Sequence, residues 1–229
     1  DDIGKVFSKN DIDVVIPNNQ LSPEKSINIE TGIRLKIRDL LNLQIQVFQT
    51  QITDAIERRE ASLNGSDSIN YDGEMMKVMM NTNIGSASIS GINFAYQLKI
   101  NEHISHNTIV NFLKGETIEE IPLAHIPPTN IISTLNYDYQ NNYFSFSAHY
   151  NALKKASNYD LGGVDNLEEA TSIGTPSWYT LNVKYRTIID NNLTLIVGIN
   201  NFLDSHYKTF GSGISASGRN FTISLSTKF

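Results

Sequence analysis

Five histidines carry most of the metal-ligating capacity of this chain: His103, His106, His125, His149 and His206. His103 and His106 have an i, i+3 spacing that would join them on one ligand only if the segment were helical. Without further ligands they read as solvated turn residues. Met75-Met76-Lys77-Val78-Met79-Met80 could serve as a soft-metal contact or an adaptable surface. The favoured reading is a loop base folded back on the rest of the protein, because methionine fills gaps. Glu116, Glu119 and Glu120 could touch a cation, but such carboxylates are more often solvated. There is no cysteine, which excludes disulfides, thiolate metal sites and thiol nucleophiles together. No nucleophile elbow, phosphate loop or metal signature is present. These absences lead to an expectation of no catalytic residue, no resident metal and no cofactor.

The elements that must position these groups are strands. Phe221, Ile223, Leu225 and Phe229 alternate with Thr222, Ser224, Ser226 and Lys228. A period of two means a strand with one apolar and one polar face. The alternation recurs in Ile27–Arg38, Ile92–Ile100, Tyr143–Asn151, Tyr179–Arg186 and Leu193–Asn200. It predicts about nine strands, each about 9–16 residues long. They fall near 27–38, 43–57, 84–100, 105–113, 129–139, 143–152, 177–187, 193–202 and 219–229. The phase changes near Val47-Phe48, which predicts a β-bulge. The stretch 54–63 has the composition of a short helical turn.

Connections alternate short and long. Asp39–Asn42, Asn101–Ile104, Gln140–Asn142 and Ile188–Asn192 are tight, Asn- and Asp-rich turns. Segments 58–83, 114–128, 153–176 and 203–218 are long and polar. This parity predicts an all-β, antiparallel, up-and-down transmembrane barrel, with short turns on the periplasmic side and long loops outside. No apolar run reaches the ~20 residues of a membrane helix, which leaves strands as the only spanning element. Glu30, Arg34, Lys36, Arg38, Asp138, Lys184, Arg186 and Lys228 lie opposite the apolar set, where a water-filled or plugged lumen would accept them. Tyr137, Tyr139, Tyr143, Phe144, Tyr185 and Phe229 fall at one set of strand ends. Tyr150, Trp178, Tyr179 and Phe202 fall at the other, as two interfacial girdles would. A net charge of −6 without a basic block argues against nucleic acid. Nine strands cannot close a bacterial single-chain barrel. The chain is therefore expected to be a C-terminal portion, 1–229, whose partner strands precede Asp1.

Four segments, in order, resemble the TonB-dependent outer-membrane receptors. Leu21-Ser22-Pro23-Glu24-Lys25-Ser26, continuing to Glu30 and Gly32, is similar to that family's L-x-P-E-x-S-x-x-x-E-x-G segment. Ile126-Pro127-Pro128 resembles its I-P-P loop exit. Asn200-Asn201-Phe202-Leu203-Asp204-Ser205-His206-Tyr207 resembles N-L-F-D-x-x-Y, with Phe-Leu in place of Leu-Phe. Gly218-Arg219-Asn220-Phe221, with terminal Phe229, resembles the G-R-x-F closing strand. The resemblance implies the last nine of 22 strands, and a plug and TonB box outside this sequence. It implies TonB-coupled uptake of a scarce nutrient across the outer membrane of a Gram-negative bacterium, foremost a ferric siderophore or related iron complex. The implied partners are the TonB complex, the barrel-assembly machinery, outer-membrane lipid and a small extracellular ligand. Phe221, Ile223, Leu225 and Phe229 then match an assembly signal. His125, His149, His206 and Tyr207 become ligand-contact candidates, since haem importers of the family hold iron through loop histidines or tyrosines. Pro23 would end the loop before its strand, Gly32 and Gly198 would relieve crowding, and Arg219 would pair with an acid at the lumen rim. A passive porin or adhesin and a soluble all-β binding module are the alternatives. A plug-coding upstream sequence separates the first of these, and solubility without detergent the second.

Overall fold

Nine antiparallel strands form one continuous sheet in the computed structural model, which describes residues 4–7, 12–160 and 164–227. They are β1 (Lys25–Ile37), β2 (Leu41–Thr53), β3 (Ala87–Lys99), β4 (Ile104–Thr117), β5 (Asn130–Tyr139), β6 (Asn142–Asn151), β7 (Trp178–Asp190), β8 (Leu193–Asn200) and β9 (Asn220–Thr227). Each pairs with its neighbour in sequence, so the order is a plain meander. The edges β1 and β9 do not pair with each other, and the sheet is open. Phe229 and Lys228 lie outside the described residues.

Alternation sets which face each side chain takes. One face carries Leu43, Ile45 and Val47 of β2, opposite Tyr96, Phe94 and Ile92 of β3. It continues through Leu135 against Phe146 and Tyr137 against Phe144. Its side chains are widely exposed: Ile29 is 72% and Ile223 78% accessible. An apolar surface this continuous would be a liability in water. The opposite face is polar and internally bonded. Gln46 donates to Glu30 at 3.1 Å, Arg34 to Gln44 at 3.3 Å, and the Arg186 guanidinium lies 5.1 Å from the Tyr143 ring centre.

The expected bulge at Val47-Phe48 is absent. Both β1–β2 and β2–β3 keep unbroken register there. The phase changes because Phe48 simply faces the polar side, its ring lying over Gly91, where a Cβ would sit 2.6 Å from it. A register shift occurs instead between Ile188 and Asp190. Gly32 and Gly198 do relieve crowding, since added Cβ atoms would fall 2.8 Å from the Ile45 carbonyl oxygen and 2.6 Å from Thr222 Oγ1.

The first long connection is not a plain loop. Ile56–Glu60 is a strand rather than a helical turn, and it joins Ser68–Tyr71, Glu74–Asn83, Gly4–Phe7 and Ile12–Ile16 in a second sheet. Ile12–Ile16 runs parallel to Glu74–Asn83, pairing Val14 with Val78. Val14, Met76 and Val78 form its core. The methionine run is therefore packing, with only Met75 pointing outward.

Candidate functional site

Three long loops meet at one buried lysine. β6 ends at Asn151, and Lys154–Lys155 then pairs with Gly174–Thr175. Gly174 has φ +109°, and a Cβ there would lie 2.0 Å from the Lys154 carbonyl oxygen, so only glycine closes this hairpin. Lys154 is 5% accessible. Its Nζ donates to the Ile126 carbonyl at 2.6 Å, across to loop 118–129. The same ammonium lies 4.8 Å from the Phe210 ring centre, in loop 201–219, and 5.9 Å from that of Tyr159. Burial pulls its pKa down, while the nearby Asp165 and Asp160 carboxylates oppose that shift.

Asp165 completes the hub. It is 2% accessible, and both its oxygens accept the His125 backbone N–H at 3.0 Å. Burial pushes its pKa up, against the His125 N–H, which pulls it down. Tyr159 packs edge-on to Phe210 at 5.5 Å and shares a 2.6 Å hydrogen bond with Thr175 Oγ1. Pro127 and Pro128 stiffen the segment that presents the Ile126 carbonyl. Ile126 itself packs with Ala55, Ala87 and Leu123, which ties in the first long connection. Glu57, from that connection, is pushed up by burial, opposed by Arg59 at 2.6 Å and reinforced by Asp160.

In front of the hub lies a cleft of about 250 Å³ between segments 166–178 and 206–212. Trp178, Tyr207 and Pro176 supply apolar wall; Glu169 and Lys208 form an ion pair at 2.8 Å on its rim. Trp178 and Tyr207 stack with centroids 4.1 Å apart and planes tilted 30°. His149 meets Trp178 edge-on at 4.9 Å.

Three of the four candidate contacts therefore converge. His206 and Tyr207 line the cleft, and His149 supports it through Trp178. His206 Nε2 also lies 3.1 Å from Ser215 Oγ. His125 does not line the cleft; its Nδ1 meets Asp165 Oδ1 at 3.0 Å, with the ring largely exposed. His103 sits in its turn, Nδ1 3.0 Å from the Asp138 carbonyl oxygen. His106 is not a turn residue. It lies within β4 on the apolar face, its nitrogens 2.7 Å from Tyr96 Oη and 2.9 Å from Ser133 Oγ. Glu116 pairs with Lys114 at 2.8 Å.

Two aromatic assignments change. Trp178 is 8% accessible under Tyr207, and the Tyr143 hydroxyl donates to Asn136 at 2.7 Å on the polar face. Neither belongs to a girdle. Tyr150 and Tyr179 do face each other across β6 and β7 on the apolar side, and Tyr137, Phe144 and Tyr185 touch at the other end.

The motif residues act as latches. Glu24 accepts the Ile56 N–H at 2.7 Å, and Ser22 and Asn83 exchange hydrogen bonds, so the Pro23 segment holds the base of the first long connection. Asn201 donates to the carbonyls of Ser205 and Ser217, closing the last loop on itself. Asp204 accepts the Arg219 backbone N–H at 2.6 Å, in space that any side chain at Gly218 would fill. The Arg219 guanidinium donates to the Phe202 carbonyl at 2.8 Å instead of pairing with an acid. Ser26 and Glu30 both lie on β1, within its paired register with β2.

Sequence reasoning missed Lys154, Tyr159, Asp165, Thr175 and Phe210. They are scattered over two loops with no period, and the one local signal was a lysine pair directly after a strand.

An open meander with one apolar and one polar face, short turns at one end and latched long loops at the other, defines a segment of receptor barrel. The chain belongs to the TonB-dependent receptor-like β-barrel family, whose model matches residues 4–202. That is a family of transport receptors, not of enzymes. Among curated proteins it is similar to transferrin-binding protein A of Haemophilus influenzae, with 25% identity over 252 residues covering 92% of this chain and 27% of that protein. Among solved structures, the copper transporter OprC matches with a TM-score of 0.75 at 14% identity, over 92% of this chain and 32% of that one. A mutant of the ferric enterobactin receptor PfeA of Pseudomonas aeruginosa, in complex with enterobactin, matches with 0.73 at 18% identity, over 95% and 33%. The FrpB iron transporter from Neisseria meningitidis matches with 0.70 at 14% identity, over 95% and 33%. The chain thus spans about a quarter to a third of the length of these relatives.

Proposed function

We propose that this chain forms part of the wall and loop layer of an outer-membrane receptor that takes up a scarce nutrient, foremost an iron complex, by TonB-coupled transport. The observation that carries the reading is the two-faced meander matched to the receptor family over residues 4–202. Its apolar face would meet lipid and its polar face the lumen, because backbone groups in a bilayer must be paired within the sheet. The short turns would then be periplasmic and the long loops extracellular. A plug on residues outside these 229 would couple to the TonB complex. The barrel-assembly machinery would read the alternating apolar side chains Phe221, Ile223 and Leu225, together with Phe229. The solved relatives whose names mention iron or enterobactin favour an iron chelate over other cargo. His206 and Tyr207 are the ligand-side residues, and His149, behind Trp178, and His125 belong to their support.

Radiolabelled iron uptake tests this in cells carrying the intact receptor. Uptake that disappears when either the receptor gene or TonB is disrupted is the expected result. Receptor-dependent uptake that persists without TonB would mean a passive barrel. Recovery of the receptor in the soluble fraction without detergent would overturn the membrane reading altogether.

A further inference from the structure

The seam between β4 and β5 opens at its outer end. β4 pairs with β3 up to Thr117, but its pairing with β5 ends at Asn111 and Asn130. Beyond that pair β5 and β6 stay joined, the Ala152 N–H donating to the Thr129 carbonyl at 2.9 Å. The turn after β4 folds back and closes the top: the Leu123 N–H donates to the Gly115 carbonyl at 3.1 Å, and Glu116 bridges to Pro122. The gap between them is a fissure of about 300 Å³.

Alternation decides which way the fissure opens. Phe112 pairs with Ile92 and Val110 with Phe94, so Phe112 and Lys114 share the phase of the apolar face. Leu113 and Gly115 point the other way, and Ile126 packs on them from behind. A Cβ on Gly115 would sit 2.6 Å from Ile126 Cδ1. Lys154 fixes that back wall through the Ile126 carbonyl. The fissure is therefore closed toward the polar face and open toward the apolar one. It starts just beyond the level of Tyr150, which pairs with Ile131, itself paired with Val110. Its lower wall is apolar, with Phe112 47% accessible beside Pro128 and Leu153. Its upper wall is polar, with Lys114, Glu120 and Asn158. An apolar end continuous with the wall and a polar end beyond the aromatic level match the chain-to-headgroup boundary of a membrane lipid.

The polar end selects the headgroup. Lys114 uses one of its three donors on Glu116 at 2.8 Å, and Ser157 donates to the Asn158 oxygen at 3.3 Å. The remaining Lys114 hydrogens and the Asn158 amide N–H groups suit an anionic oxygen. Glu116 and Glu120 beside them favour a single negative charge over a multiple one. A polypeptide strand is a poorer occupant, because Pro127 and Pro128 have no N–H for a ladder. A volume of about 300 Å³ accepts part of one lipid and not a whole one. We propose that this fissure binds one phosphodiester lipid of the outer leaflet, its phosphate on Lys114 and Asn158 and its first chain methylenes on Phe112, Pro128 and Leu153. The inference rests on reading the apolar face as the lipid-facing wall of an uptake receptor.

Native mass spectrometry of the intact receptor, released from detergent and titrated with dioleoylphosphatidylglycerol, tests the site. The first lipid is held at least about tenfold more tightly than dioleoylglycerol, which lacks the phosphate. Lys114→Gln, on a side chain 61% accessible and so harmless to the fold, weakens that first lipid by about tenfold. Ser157→Trp fills the polar end from an exposed position and weakens it by as much. Lys155→Gln, an exposed lysine outside the fissure, leaves it unchanged. Equal retention of dioleoylglycerol, or wild-type retention of the phospholipid by Lys114→Gln, would overturn the inference. Displacement of the lipid by an equal concentration of inorganic phosphate would also overturn it, leaving an anion site in its place. Uptake is scored separately: TonB-dependent uptake with no such lipid removes the inference alone, and a lipid held in the fissure without TonB-dependent uptake removes the proposed transport alone.

Discussion

The wall and the loop layer are held together by different physics. In the wall, every strand pairs with its sequence neighbour, through turns as short as the two residues between β5 and β6. Order there comes from local alternation and backbone pairing, and it is repeated along the whole sheet. In the loop layer, the main ties run between residues tens of positions apart: Lys154 to Ile126, Asp165 to His125, Lys208 to Glu169. Few contacts of each kind exist, and several converge on one buried cation. The wall should thus be tolerant of single changes and the loop layer brittle.

Lys154→Ala is the most severe way to break that contrast. It leaves the buried Asp165 and Asp160 without their neighbouring cation, and removal of one member of a buried charged set costs about 3–5 kcal/mol. Hydrogen exchange on the intact receptor should rise together around 122–128, 154–160 and 206–212, with β5 and β6 unaffected. Lys155→Ala, on the exposed neighbour, should change stability by about 0.5 kcal/mol or less. Exchange that rises only beside residue 154 would mean that the loops are independent.

Gly91→Val probes a place where the wall is as tightly fitted as the loops. Its added atoms meet the Phe48 ring at 2.6 Å and the Phe112 carbonyl oxygen at 2.9 Å. Overpacking of this kind costs about 1–3 kcal/mol, read as a lower thermal midpoint of the barrel. Phe48→Ala should recover part of that loss, because the ring is one of the two obstacles.

The smallest effect concerns pH. Glu57 is raised by burial, so its folded-state pKa exceeds the unfolded one. The folded protein then binds more protons between those two values, and stability falls as pH rises through that window to a constant level above it. Glu57→Gln should flatten this slope in loop-layer hydrogen exchange measured across mildly acidic pH. An unchanged slope would place the titrating group elsewhere.

The same contrast explains what could be read from sequence. All nine strands were legible, since a period of two survives in residues 25–37 or 220–227 without any knowledge of partners. Local polarity misled in a few places. Phe48 broke the alternation and suggested a bulge, although a large ring can cover a glycine on the polar face. His106 and Thr108 occupy apolar-phase positions in β4, so polar side chains hide the phase there and His106 reads as a turn residue from sequence alone. Trp178 shares its parity with Thr180 and Asn182, and that alone could have placed it inside rather than in a girdle. The parallel pairing of Asp13 with Lys77 and the hub around Lys154 left no local trace. Their partners are brought together only by the finished sheet.

Site-directed spin labelling of the intact receptor in lipid vesicles tests the central claim most directly. This chain contains no cysteine, so a single cysteine introduced along β8 or β9 is the one thiol within these 229 residues. Val197→Cys, Ile223→Cys and Leu225→Cys should show high collision rates with oxygen and low rates with a water-soluble nickel chelate. Thr222→Cys and Ser224→Cys should show the reverse, giving a period of two. Equal accessibility on both faces, or a nickel signal at Val197 and Ile223, would contradict a wall that stands between lipid and lumen.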